Sequence, residues 1–267
     1  MLKDITLGQY FPGNTVVHRL DPRTKLLMVI LFIVALFTAE GPIAYLAVFL
    51  FLGVAVGLSR IPPRTILKGL KPLVVIICLT GLLNLFYTPG TPVVKFWVLT
   101  ITREGIFSAL FMIWRILMLI TGTFMLTYTT SPIALTDGLE LLLNPLKRIK
   151  VPVHELAMMM SIALRFIPTL IEETDKIMSA QKARGADFET GSILQRAKAL
   201  IPILVPLFVS ALRRADELAV AMECRCYQGG KGRTRMRRLR FAGRDYVTLV
   251  LGILLVAAMI VLRVMGI

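Results

Sequence analysis

Histidine and cysteine are scarce in this chain, two and three residues in 267. Cys78 sits inside an apolar run, while Cys224 and Cys226 flank Arg225. So few thiols argue for no disulfide framework. The Cys-x-Cys pair offers two of the four ligands that a structural zinc needs, and neither His18 nor His154 stands at ligand spacing to it. There is no His-Glu-x-x-His, no Gly-x-x-x-x-Gly-Lys-Ser/Thr loop, and no acidic pair inside any apolar run. A catalytic constellation is therefore not expected, and neither is a nucleotide-binding loop of the chain's own. A continuous apolar stretch is missing from the first twenty residues, which argues against a cleavable signal peptide. Acidic residues are also few, 16 against 31 Lys and Arg.

Apolar residues, in contrast, make up 56% of the chain, with a mean hydropathy of +0.76 and a sequence pI of about 10.2. Those values lie outside the range of soluble domains and point to a membrane protein. The apolar residues come in blocks. "KLLMVILFIVALFTAE" (25–40) and "IAYLAVFLFLGVAVGLSR" (43–60) are split by Gly41 and Pro42 and read as a helical hairpin. "PLVVIICLTGLLNLFY" (72–87), "GIFSALFMIWRILMLITGTFMLTY" (105–128) and "YVTLVLGILLVAAMIVL" (246–262) complete the set. Each approaches the roughly 20 residues that cross a bilayer. The expected fold is an all-α membrane protein with about five transmembrane helices.

Charge placement orients it. Of 31 basic residues, 27 fall in 1–25, 60–71 and 129–244, the pieces that face inward if the N-terminus is cytoplasmic. Lys95, Arg103 and Arg263 fall outside, and Arg115 falls within a span. The N-terminus is expected in the cytoplasm and the C-terminus outside. Three parts are expected: a four-helix membrane domain over 1–128, a cytoplasmic or interfacial module over 129–244, and a last membrane helix over 245–267.

The module is unusual. Its apolar stretches "LAMMMSIALRFIPTLI" (156–171) and "ALIPILVPLFVSAL" (199–212) carry Arg165 and Pro168, and Pro202 and Pro206. Each runs straight into a polar helical pattern without a turn signal. They read as two long amphipathic helices rather than spans, apolar where they begin and polar where they end. A shorter helix precedes them in "SPIALTDGLELLLNPLKRIK", with Ser131 or Thr130 as cap and Pro132 in the first turn. Met158, Met159, Met160 and Met178 offer either a deformable partner surface or core filling.

Both long helices end on an arginine four residues after an alanine, Ala180 to Arg184 and Ala221 to Arg225. A cation at a helix C-terminus suits the helix dipole, and Gly185 can close the first helix in the left-handed region. Two such ends also read as a pair of prongs. Ala183 and Gly185, and Cys224 and Cys226, leave each guanidinium free to enter a groove on another protein.

With "HRLDPRTKLL" (18–27), "PLKRIKVPVHELAMMMSIALRFIPTL" (145–170), "AQKARGADF" (180–188) and "AMECRCY" (221–227), essentially the whole chain resembles the transmembrane coupling subunits of energy-coupling factor transporters, the EcfT family. The resemblance implies a non-hydrolytic subunit of an ABC-type importer in a prokaryotic plasma membrane, serving vitamin or other micronutrient uptake. It implies two cytoplasmic ABC ATPase partners that hold ATP and Mg²⁺, and one substrate-binding membrane subunit. This chain itself would bind no cofactor. The family's two Ala-Arg-Gly-like motifs, each docking in a groove on one ATPase, fall here on Ala183, Arg184 and Gly185 and on Cys224, Arg225 and Cys226. The second keeps only the arginine.

Two other features invite rival readings. Arg115 inside a span could pair with backbone or a helix end, the favoured reading, or line a pathway in a free-standing transporter or channel. The basic run "KGRTRMRRLRFAGR" (231–244) could bind nucleic acid, but it directly precedes a span, where contact with an anionic inner leaflet and control of topology is the simpler account.

Overall fold

Proline and small polar residues set where several of the helices begin. In the computed structural model, which describes residues 10–96, 99–188, 192–229 and 239–266, Asp21 caps α1 (Pro22–Thr38) by accepting from the Arg23 N–H. Pro42, Pro63 and Pro132 occupy the first turns of α2 (Gly41–Ser59), α3 (Pro63–Leu70) and α6 (Pro132–Leu143). There an amide N–H would have no helical partner in any case. Ser131 caps α6, as expected, through its Oγ to the Ala134 N–H at 3.3 Å. The remaining helices are α4 (Val74–Tyr87), α5 (Arg103–Thr129), α7 (Val153–Ala183), α8 (Ile193–Cys224) and α9 (Gly243–Met265). Thr102 caps α5 and Ser192 caps α8, each through its side-chain oxygen. Among the described residues the architecture is helical apart from one antiparallel hairpin between α4 and α5, β1 (Pro92–Phe96) with β2 (Leu99–Thr102).

All five apolar runs are helices. Among the described residues, six helical stretches are long and apolar enough to cross a bilayer: Gly41–Ser59, Pro63–Tyr87, Arg103–Thr129, Val153–Ala183, Leu194–Cys224 and Gly243–Met265. The 17-residue α1 is just too short for that measure. Helices α7 and α8 meet it because neither stops at its prolines. Pro168 lies inside a 31-residue helix, and Pro202 and Pro206 inside a 32-residue one.

The chain divides into two compact units. One comprises Gly8–Leu139 with Leu239–Ile267, so that α9 rejoins the first helices; the other comprises 140–238, and the division falls within α6. In the first unit the core is a stripe on α1, Phe32, Ala35 and Leu36, continued by Ala39, against Tyr45 and Val48 of α2, Met118 of α5 and Met259 of α9. Small residues let the backbones close in. A Cβ on Gly122 would lie 2.5 Å from the Phe32 ring, and one on Gly252 would lie 2.6 Å from the Met28 sulfur. These two glycines set the α1–α5 and α1–α9 crossings, as small residues do between membrane helices.

One end of this unit is locked by buried charge. Lys25, almost fully buried, directs its Nζ to the His18 carbonyl at 3.2 Å, the Thr129 carbonyl at 2.8 Å and Thr130 Oγ1 at 3.2 Å. Asp245, buried at the start of α9, accepts from the Asp21 N–H at 2.8 Å and the Ala242 N–H at 2.7 Å. Arg23 pairs with Asp21 at 2.9 Å and lies over the Phe241 ring at 3.9 Å. Burial pushes the Asp21 carboxyl up, but the side-chain and backbone hydrogen bonds from Arg23 outweigh it and hold the group below its ordinary value. "HRLDPRTKLL" is thus a structural lock joining the segment before α1 to the end of α5 and the start of α9.

Asp245→Ala strands the buried Asp21 N–H, which costs about 1–3 kcal/mol. The expected result is a melting temperature several degrees lower for the detergent-solubilised protein, with a smaller drop for Asp245→Asn. An unchanged melting temperature for Asp245→Ala would show that the lock contributes no stability.

Candidate functional site

In the 140–238 unit, α6 leads into α7 through a hydrogen bond between His154 Nδ1 and the Glu140 carboxylate at 3.0 Å. Helices α7 and α8 are joined by a polar clasp in the middle of otherwise amphipathic surfaces. The Glu173 carboxylate accepts from Ser210 Oγ through one oxygen and from Arg214 Nη2, at 2.8 Å, through the other. A charge-assisted bond of this kind is directional and fixes how the two helices meet.

Beyond the clasp the two helices match. Arg184 lies eleven residues after Glu173, and Arg225 lies eleven residues after Arg214. At the helical rise both arms are about 16 Å long. Neither arm contains glycine or proline. Pro168 and Pro206 both fall on the other side of the clasp, five residues before Glu173 and four before Ser210. Bending is therefore placed at the apolar beginnings, and the polar arms are stiff.

The two ends also close alike. After α7, Gly185 takes φ +88°, its N–H meets the Lys182 carbonyl at 3.0 Å, and the Ala186 N–H meets the Gln181 carbonyl at 3.0 Å. After α8, Cys226 takes φ +56°, its N–H meets the Glu223 carbonyl at 2.8 Å, and the Tyr227 N–H meets the Met222 carbonyl at 3.0 Å. Both are Schellman closures, with the arginine as C-cap and the next residue left-handed. Cys226 thus adopts the backbone that Gly185 adopts without steric cost. The departure from Ala-Arg-Gly lies in the side chains and not in the backbone. Ala183, Arg184 and Gly185 are exposed, and so are Cys224, Arg225 and Cys226, whose thiols are free.

The beginnings of the two helices expose apolar surface of a different kind. On α8, Leu200, Ile201, Leu204, Val205, Phe208 and Val209 are 46–65% exposed. On α7, Met159 and Met160 are exposed, whereas Met158 and Met178 are half-buried. The methionines therefore divide between surface and packing. Most of the basic run at 231–244, its residues 231–238, lies outside the described residues. No group of histidine, cysteine and carboxylate residues suited to a metal occurs among the described residues.

Arg115 closes a turn. Its Nη2 donates to the carbonyl of Ala39, just past the end of α1, at 3.4 Å, and its guanidinium lies 5.5 Å from the Tyr45 ring. Arg263 pairs with the adjacent Glu40 at 2.9 Å. Two arginines thus hold the α1–α2 turn, and Arg115 has a structural role there. Neither contact has a local sign in the sequence, because the partners are 76 and 223 residues distant.

The pattern of the CbiQ family, described as cobalt transport protein, matches residues 13–236. The chain is 52% identical over 266 residues to the energy-coupling factor transporter transmembrane protein EcfT of Clostridium kluyveri, covering 99% of this chain and 98% of that protein. It is 56% identical over 244 residues to that of Thermosediminibacter oceani, at 91% and 92% coverage. To that of Bacillus subtilis it is 50% identical over 264 residues, at 98% and 100% coverage.

A non-glycine residue in the left-handed region carries a backbone cost of about 1–2 kcal/mol. Cys226→Gly should therefore firm the end of α8, read as slower amide hydrogen exchange over 222–227, and Gly185→Val should loosen the end of α7 by a similar amount. Faster exchange in Cys226→Gly would contradict the assigned closure.

Proposed function

This chain belongs to the CbiQ cobalt transport protein family, as a transmembrane EcfT component of an energy-coupling factor transporter, and from that premise we propose that Arg184 and Arg225 dock it onto two cytoplasmic ATPase subunits. The observation that carries the reading is the matched pair of arms: equal in length from the clasp, free of glycine and proline, and closed by the same turn behind an exposed arginine. Two like sockets on two like ATPases call for two like prongs. A guanidinium serves well there, since its planar fork makes several hydrogen bonds at once. Ala183, Gly185, Cys224 and Cys226 flank the prongs with small side chains.

ATP binding on the partners draws the two sockets together, and the arginine ends move with them. Stiff arms pivoting about Glu173, Ser210 and Arg214 convert that motion into displacement of the apolar beginnings. The exposed apolar face of α8, with Met159 and Met160 of α7, is where a substrate-binding membrane subunit rests. Displacing that face shifts the subunit and releases its micronutrient, a vitamin or a metal ion, into the cell. Hydrolysis belongs to the ATPases, which hold ATP and Mg²⁺. Substrate choice belongs to the binding subunit. The membrane helices carry the N-terminus in the cytoplasm and the C-terminus outside.

Reversing a buried interfacial charge costs about 2–5 kcal/mol. In a pull-down from solubilised membranes, the native chain should recover two ATPases and a small membrane protein. The Arg184→Glu, Arg225→Glu double variant should insert normally and lose the ATPases; undiminished copurification would refute the docking assignment. A tag placed after Ile267 should be labelled from outside intact cells, and labelling only from the cytoplasm would overturn the orientation.

A further inference from the structure

A cavity of about 210 Å³ lies among the first turns of α1 and α9, the second half of α2 and the last turns of α5. Leu20, Phe32, Leu52 and Met125 form a buried apolar floor. Val54 and Leu58 of α2 and Leu251 of α9 also line it, yet each is at least half exposed. These are flank positions on helices apolar and long enough to cross a bilayer. The mouth therefore opens sideways, toward the hydrocarbon that surrounds such helices.

The size suits an alkyl chain. An apolar cavity of about 150 Å³ stays dry and accepts benzene, so on the same scale this one accepts about eight carbons. Left empty, it is a destabilising void. Lys25, Thr129 and Thr248 are its polar lining residues, but the Lys25 ammonium already donates to His18, Thr129 and Thr130. An anion must find its cations elsewhere, and three are at hand. Arg19 adjoins Leu20, Arg60 comes two residues after Leu58, and Arg244 precedes the lining residue Thr248 by one helical turn. All three are exposed, and none joins an ion pair found among the described residues. The nearby carboxylates are occupied, Asp21 by Arg23 and Asp245 by two backbone N–H groups.

We infer that this slot holds a segment of one acyl chain of an anionic phospholipid, with the headgroup phosphate gathered by Arg19, Arg60 and Arg244. An apolar slot open to the bilayer and a cationic rim match the two halves of that molecule. The chain fills the void with dispersion contacts, and arginine supplies charge-assisted donors to the phosphate. The inference is independent of the docking of Arg184 and Arg225, because every residue it uses belongs to the Gly8–Leu139 and Leu239–Ile267 unit.

The test uses the full-length chain, delipidated in detergent and titrated with dioleoyl phosphatidylglycerol or dioleoyl phosphatidylcholine. Bound lipid is counted by native mass spectrometry and melting temperature is followed in parallel. The native chain should keep one phosphatidylglycerol through delipidation, melt higher when it is bound, and prefer it over phosphatidylcholine by at least tenfold. Ala55→Phe fills the slot and should keep none. Val54→Trp obstructs the mouth from an exposed position without touching the floor, and should also lose the lipid while remaining monodisperse. Arg60→Gln with Arg244→Gln should lose the preference between headgroups. Retention of phosphatidylglycerol by both slot variants would overturn the site. Equal binding of both lipids by the native chain would overturn the anionic headgroup and the part given to the three arginines.

Discussion

The Glu173 carboxylate, gripped from α8 by Ser210 and Arg214, is the fixed point on which the arrangement of α7 and α8 depends. Two amphipathic helices of more than thirty residues, with long apolar stretches, have many ways to slide past each other on dispersion contacts alone. A two-pronged polar contact removes that freedom, because moving one helix by a turn against the other leaves the carboxylate without its donors. Distances from this point then acquire meaning. The equal reach to Arg184 and Arg225 is a property of where Glu173 and Arg214 stand in the sequence. The stiffness of that reach comes from eleven residues with no glycine or proline. The prolines gathered before the clasp place compliance in the apolar beginnings and leave the arms stiff.

The membrane unit solves a different problem with the same means. Its helices close on one another through Gly122 and Gly252, and its open end is fastened by Lys25, Asp21, Arg23 and Asp245. Burying so many charges at the ends of apolar helices is tolerable because every Lys25 donor and both Asp245 oxygens have partners. The lock joins residues more than 200 positions apart, so it returns the chain after α8 to the place where α1 began. The start of α9 is thereby held to the bundle.

Much of this was legible in the sequence, and the limits have physical reasons. Apolar periodicity and length located all five expected helices, and the Ser131 cap and the proline starts were local signals. The two arginine ends were legible because composition changes sharply there. Helices α7 and α8 run through their prolines, as two long amphipathic helices require, since neighbouring turns absorb the lost hydrogen bonds in a long helix. Two things were not legible. The left-handed Cys226 has no propensity signal, because cysteine is not a residue that favours that region. The partners of Arg115, Lys25 and Asp245 lie far off in sequence, and no window of local pattern contains them.

The central claim is that the two Schellman turns, with Arg184 and Arg225 as their C-caps, dock onto ATPases. The most direct measurement places a photo-crosslinking amino acid at Ala186 or at Tyr227 in the assembled transporter, irradiates membranes, and identifies the adducts by mass spectrometry. The account predicts an ATPase adduct from each position, in comparable yield and on the same groove of each ATPase. Adducts to lipid or to the substrate-binding subunit from both positions, with none to an ATPase, would contradict it.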